Sequence, residues 1–217
     1  MIEQKNINEE MLTRLRSELK TKMSAFRFAH TLGVEEMAAR IGAIYCPEKV
    51  NKLRAAALLH DITKELSVEA QKEVFKKHGV VMSRETELAP PIHHAITASL
   101  EIPERYPDFA DPEILSAVKY HTTGRADMTL CEKIIYISDY IDFTRTYSDC
   151  ILLRDMFWGA HPESMSKDER LMHLDRVVLK SLELTIIDLN ERNRTVTGET
   201  VEALDFLQDE IKKKEEI

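Results

Sequence analysis

The sequence predicts an all-α fold, and three observations carry that expectation. Apolar residues recur every three or four positions along most of the chain, which is the period of a helix face. Helix-capping residues stand at the starts of several of these stretches. Six glycines and seven prolines in 217 residues are few for a turn-rich β structure, and no segment alternates apolar and polar residues convincingly.

The elements follow in order. Residues 6–24 set Met11, Leu12, Leu15 and Leu19 at helical spacing and predict an amphipathic opening helix. Phe26, His30, Val34, Met37, Ala38 and Ile41 form the next apolar stripe, so a histidine lies on a face that will be buried; Pro47 ends it. From Glu48 to Leu59 strong helix formers run into His60 and Asp61. Ser67 caps a helix over 68–78, and Asp111 with Pro112 supplies a cap with proline at the first helical position. Thr129 with Glu132, and Ser166 with Glu169, match the capping box. Helices are therefore expected over 92–101, 112–121, 130–143 and 167–193, with a charged one near 200–215. The stretch 144–166, with Trp158, Gly159 and Pro162, reads as the loosest. No repeat, linker or low-complexity tract divides the chain, so residues 1–217 are expected to form a single domain.

Composition narrows the function. A net charge of −8 argues against a general nucleic-acid binder, because phosphate backbones are held by clustered Lys and Arg. No apolar run approaches the ~20 residues a membrane span needs, and the polar, acidic start lacks a signal-peptide core. Cys46, Cys131 and Cys150 have no CxxC spacing and read as reduced thiols. A cytoplasmic protein with a small-molecule substrate is expected, and a homodimer is compatible with the sequence.

The chemistry lies in histidines and aspartates next to apolar runs. His60-Asp61 follows AAALL, where polar side chains without partners are costly. An isolated pair of this kind is more often structural, hydrogen-bonded to a carbonyl or capping a turn. Here, however, His30, His93, His94, His121 and Asp139 also fall in or beside apolar helical segments. Imidazoles converging from separate helices need a shared positive partner, and a mixed N/O donor set suits iron, manganese or zinc. Asp139 alone could instead pair with Lys133 or Arg145. Arg27, Lys64, Arg125 and Arg145 flank the candidate ligands and could form a phosphate rim. Thr122, Thr123 and Gly124, after His121, offer hydroxyls and free amides at a glycine turn. The motifs GxxxxGK[ST], GxGxxG, GxSxG and HExxH are absent, and His78, His161 and His173 read as structural.

The order His30, His60-Asp61, Asp139 resembles the H…HD…D signature of HD-domain phosphohydrolases, which implies a compact HD-domain helical bundle. Within that superfamily, RFAHTLGV (27–34), ALLHDITK (57–64), IHHAITAS (92–99), VKYHTTGRADM (118–128) and SDYIDFTR (138–145) closely resemble the YqeK-type symmetrical diadenosine tetraphosphate hydrolases. The likeness spans roughly residues 20–200 and leaves a short N-terminal extension and the charged C-terminal helix outside it. It implies two metal ions, usually iron, held by His30, His60, Asp61, His93, His121 and Asp139, and cleavage of the dinucleotide to ADP. On this reading Asp61 bridges the metals, a metal-bound hydroxide attacks, and Arg27, Lys64, Arg125, Arg145, Thr122 and Thr123 hold the phosphates. His94 stands where the family has a small residue, and Asp142-Phe143 where Glu-Pro is common. Hydrolysis of a guanosine alarmone or nucleoside triphosphate, and a non-catalytic metal-containing nucleotide sensor, are the alternatives.

Overall fold

The computed structural model describes residues 6–216, which form eleven α-helices and no strand. Each sequence cap marks a real helix start. Asn8 accepts from Met11 N at 3.0 Å and opens α1 (Glu9–Lys22), which buries Leu12, Leu15 and Leu19. Ser24 opens α2 (Ala25–Tyr45), whose buried stripe contains His30, Val34, Met37, Ala38 and Ile41. Phe26 departs from that expectation: it lies in the first turn, where nothing packs over it, and is 80% exposed.

A 3-10 turn over Pro47–Lys49 leads into α3 (Val50–Leu59), after which His60 and Asp61 stand in a turn. Then follow α4 (Val68–Lys77), the short α5 (Arg84–Leu88), α6 (His93–Arg105) and α7 (Pro112–Lys119), the last capped by Asp111. Full capping boxes open α8 (Leu130–Ile141) and α10 (Lys167–Glu191). The stretch expected to be loosest instead holds α9 (Ser148–Gly159), before the charged α11 (Gly198–Glu215). Among the described residues, no helix is long and apolar enough to cross a membrane.

The apolar stripes meet in one buried cluster. Helix α3 lies against α1, α2, α7 and α8, and α8 also packs on α2, α9 and α10. Buried Leu53, Leu58, Ile134, Ile135 and Ile137 fill the space between them. The ends of α3, α7 and α8 and the start of α6 are held by this core, so side chains placed there have little freedom.

Phe157 of α9 is fully buried beside Tyr45 and Trp158, and its carbonyl oxygen lies 3.0 Å from His173 Nε2. His173 is thereby accounted for as a structural residue. Phe157→Ala is expected to destabilise the fold by about 3–5 kcal/mol, measured by urea unfolding, because the cavity left would not collapse fully. A loss within the range of surface substitutions would mean that α9 is only peripheral to the core.

Candidate metal centre

Six polar side chains that the core would otherwise exclude are brought together by α2, the turn after α3, α6, the turn after α7, and α8. His30, His60, Asp61, His94 and His121 are all buried, and Asp139 is nearly so. His30 Nε2 lies 3.0 Å from Asp139 Oδ1 and 3.7 Å from Asp61 Oδ2. His60 Nε2 lies 3.3 Å from Asp61 Oδ2. On the other side, His94 Nε2 is 3.2 Å and His121 Nε2 3.8 Å from Asp61 Oδ1, and the two imidazole nitrogens are 3.1 Å apart. One oxygen of Asp61 thus faces one group of histidines and the other oxygen faces the second.

A repeated local device aims the rings. Nδ1 of His60, His94 and His121 lies 2.5, 2.8 and 2.7 Å from the carbonyl oxygen three residues earlier, at Ala57, Pro91 and Val118. A carbonyl can only accept, so Nδ1 carries the proton and the Nε2 lone pair points inward. For His30 the outer partner is the buried Asp142, whose Oδ2 is 3.4 Å from Nδ1. Gly33 makes room for that carboxylate, since a Cβ there would stand 2.7 Å from Asp142 Oδ1. Thr144 fixes the same oxygen through its backbone N–H at 2.8 Å and its hydroxyl. Carbonyl or carboxylate behind a histidine, with the other nitrogen free, is the outer shell of metal-binding imidazoles.

The donor set fits divalent metal. Nε2 of His30 and His60 and Oδ1 of Asp61 are shielded from solvent yet make no hydrogen bond. Orphaned donors and acceptors in a core are costly, and these converge on common points. The sets His30, His60, Asp139 and His60, Asp61, His121 each offer three ligand atoms within 4.8 Å of one another. Imidazole with carboxylate suits iron, manganese or zinc.

Charge within the cluster is strongly coupled. Burial opposes ionisation of Asp61, but His60, His94 and Lys64 outweigh it and hold the carboxyl well below the usual range. Asp139 is likewise held down, against its burial, by Arg145 and His30. Burial pushes His121 down to about 4 and His94 down as well, whereas for His30 the neighbouring carboxylates of Asp139 and Asp142 outweigh burial and raise it to about 9.

Three of the cations expected at a phosphate rim lie here. Arg27 Nη1 is 2.5 Å from Asp61 Oδ2, Lys64 Nζ is 3.2 Å from both ring nitrogens of His94, and Arg145 Nη2 is 2.6 Å from Asp139 Oδ1. The ion pair considered for Asp139 is therefore made with Arg145; Lys133 pairs instead with Asp175 at 2.5 Å.

Two sequence expectations need correction. His93 is not in the cluster: its Nε2 lies 2.7 Å from the Thr86 carbonyl and its ring packs on Phe75. Adjacent helical residues diverge by about 100°, and it is His94 that points inward. Arg125 is also turned away. Its guanidinium binds Glu132, 3.0 Å from Nε, and the Ala126 carbonyl, because the buried Glu132 carboxylate needs a cation. The Thr123 hydroxyl is spent on the Gly124 carbonyl and Glu199, while Gly124, at φ +65°, supplies the left-handed turn after His121. The Thr122 hydroxyl stays buried with no partner.

Comparison with known proteins agrees with this geometry. Residues 27–144 match the HD domain family model. The chain is 29% identical over 190 residues to the symmetrical bis(5'-nucleosyl)-tetraphosphatase of Staphylococcus aureus, covering 86% of this chain and 89% of that one. It is 28% identical to the enzyme of the same name from Bacillus subtilis, covering 84% and 89%. A crystal structure described as a predicted HD superfamily hydrolase involved in NAD metabolism, from Clostridium acetobutylicum, superimposes with a TM-score of 0.79 at 29% identity, covering 91% of this chain and 97% of that one. With its His60-Asp61 pair at the centre of a helical cluster of inward-facing imidazoles, the chain belongs to the HD domain family.

Proposed function

We propose that this chain, acting as one domain, is a metal-dependent phosphohydrolase that cleaves diadenosine tetraphosphate symmetrically into two ADP. The observation that carries the metal chemistry is the arrangement of Asp61, whose two oxygens face two separate groups of imidazole nitrogens, those of His30 and His60 on one side and those of His94 and His121 on the other. The names of the relatives, at 26–29% identity, support the substrate.

In this reading His30, His60, Asp61 and Asp139 hold one divalent ion, and Asp61, His94 and His121 hold the second, with iron the first choice and manganese next. Paired divalent ions supply an acidified water and offset the charge that develops in an in-line displacement at phosphorus. The chain's own groups do the rest. Arg27, Lys64 and Arg145 surround the centre and orient the phosphate chain, and Thr122 donates a hydrogen bond to it. Asp142 holds the proton on His30 Nδ1 and so keeps Nε2 directed inward. No serine or cysteine nucleophile is needed, and the three cysteines are buried with burial raising their pKa values.

Incubating the full chain with diadenosine tetraphosphate and ferrous or manganous ion under reducing conditions is expected to give ADP as the only nucleotide product on anion-exchange chromatography. AMP and ATP in equal amounts would mean attack at an outer phosphorus. Rapid hydrolysis of a guanosine alarmone with none of the dinucleotide would assign the chain to another HD-type nucleotide phosphohydrolase.

A further inference from the structure

A further set of metal-ligating side chains lies away from the His60-Asp61 centre, where the C-terminal end of α4 meets α6. Helix α4 stops at a glycine turn. Gly79 takes a left-handed φ of +66°, its N–H donates to the Lys76 carbonyl at 3.1 Å, and the Val80 N–H donates to the Phe75 carbonyl at 2.9 Å. These two bonds fix His78, the residue before the glycine, and buried Phe75 seats α4 against the His93 ring at the start of α6. His78 Nε2 then lies 3.1 Å from Glu101 Oε1 and 3.8 Å from Glu104 Oε1. The two glutamates are three residues apart and share one face of α6. Glu101 follows His94 by seven residues, which places the cluster about 10 Å along the helix from the centre.

One nitrogen or oxygen atom from each of these three side chains lies within 4.8 Å of the other two. Bonds of about 2.1 Å to a tetrahedral ion set its ligands roughly 3.4 Å apart, between the two distances found here, and one imidazole with two carboxylates is a donor set that zinc accepts. The charges favour a cation as well. Lys77 Nζ donates to Glu101 at 2.9 Å and also to Glu104, so one ammonium faces two carboxylates. Arg105, a second nearby cation, lies over the Tyr106 ring, 5.6 Å from its centre. Burial opposes ionisation of Glu101, but Lys77 and His78 hold its carboxyl below the usual range and keep it anionic. Glu101 is nearly buried whereas the Glu104 side chain is 52% exposed, so the open side of the cluster faces water.

We propose that His78, Glu101 and Glu104 form an accessory zinc site that pins the C-terminal end of α4 to α6, with water as the fourth ligand. Three protein ligands at the surface hold an ion more weakly than the buried centre does, so the site fills when zinc is added rather than during purification. The metal-loaded full chain, dialysed to equilibrium against zinc ion, is expected to gain about one further ion per chain, as a site with three protein ligands and a water would take. His78→Gln and Glu104→Gln are expected to gain none, with activity near that of the parent chain. Counting total metal makes the result independent of exchange at the centre and of how many ions the centre holds. Glu104 is exposed and does not support the core, so its variant reads the site even if His78→Gln folds poorly. Lys77→Gln removes the competing ammonium and is expected to tighten zinc binding about three- to fivefold, the size of an exposed ion pair. A cluster that serves only as an ion pair would show no such gain. No added metal in the parent chain, the same gain in the parent and either ligand variant, or weaker binding in Lys77→Gln would overturn the inference.

Discussion

Asp61→Asn is expected to reduce turnover below detection and to lower metal content, while His161→Asn changes neither. Asparagine keeps the shape of the side chain, so the core around it stays packed, but it removes the charge and one of the two equivalent oxygens. Both oxygens matter here: Oδ2 is 3.3 Å from His60 Nε2 and Oδ1 is 3.2 Å from His94 Nε2, so each faces its own set of imidazoles. His161 is the right control because it is exposed, 3.4 Å from Glu163, and stands at φ +56°, a conformation that asparagine tolerates. Metal analysis and product chromatography on the same preparations read the outcome. Equal losses in both variants would show that the effect is general and that Asp61 has no bridging role.

The second large effect separates two neighbours. His94→Ala is expected to weaken metal retention and turnover by about a hundredfold or more, a loss at least as large as that from removing an outer-shell partner, whereas His93→Ala should keep its metal. The ring of His94 is directed by the Pro91 carbonyl at 2.8 Å, and Thr63 donates to the His94 carbonyl at 2.8 Å, which ties the first turn of α6 to the turn bearing Asp61. His93 instead spends its Nε2 on the Thr86 carbonyl. Its removal should therefore appear as lost stability, through the contact with Phe75, with metal content intact. Metal lost from His93→Ala and kept by His94→Ala, measured after equal dialysis, would reverse the assignment.

Much of this was legible in the sequence, because caps and periodicity are local. Ser67, Asp111, Thr129 and Ser166 each cap the helix expected of them. Helix α9 was hidden for the same reason in reverse: Tyr147 provides no side-chain cap, and Ile151, Leu152 and Met156 face solvent, which blurs the apolar stripe. At the metal centre, residue types and order located His30, His60, Asp61, His121 and Asp139. Choosing between His93 and His94 needed the direction of the helix start, since both are buried and hydrophobic pattern does not distinguish them. The signal present in the chain is a carbonyl three residues back, shared by His60, His94 and His121, and it becomes visible only once the turns are built. Asp142, which with Phe143 departs from the common Glu-Pro, lies behind His30, and Arg125 is drawn off by Glu132, a partner seven residues away in the next helix.

Metal stoichiometry measured together with activity tests the central claim most directly. Protein purified without chelator is expected to carry close to two transition-metal ions per chain, since the donors exceed what one tetrahedral site takes. Stepwise chelation should remove metal and turnover together, and added iron or manganese should restore both. Metal-free protein that retains full hydrolytic activity would contradict the account.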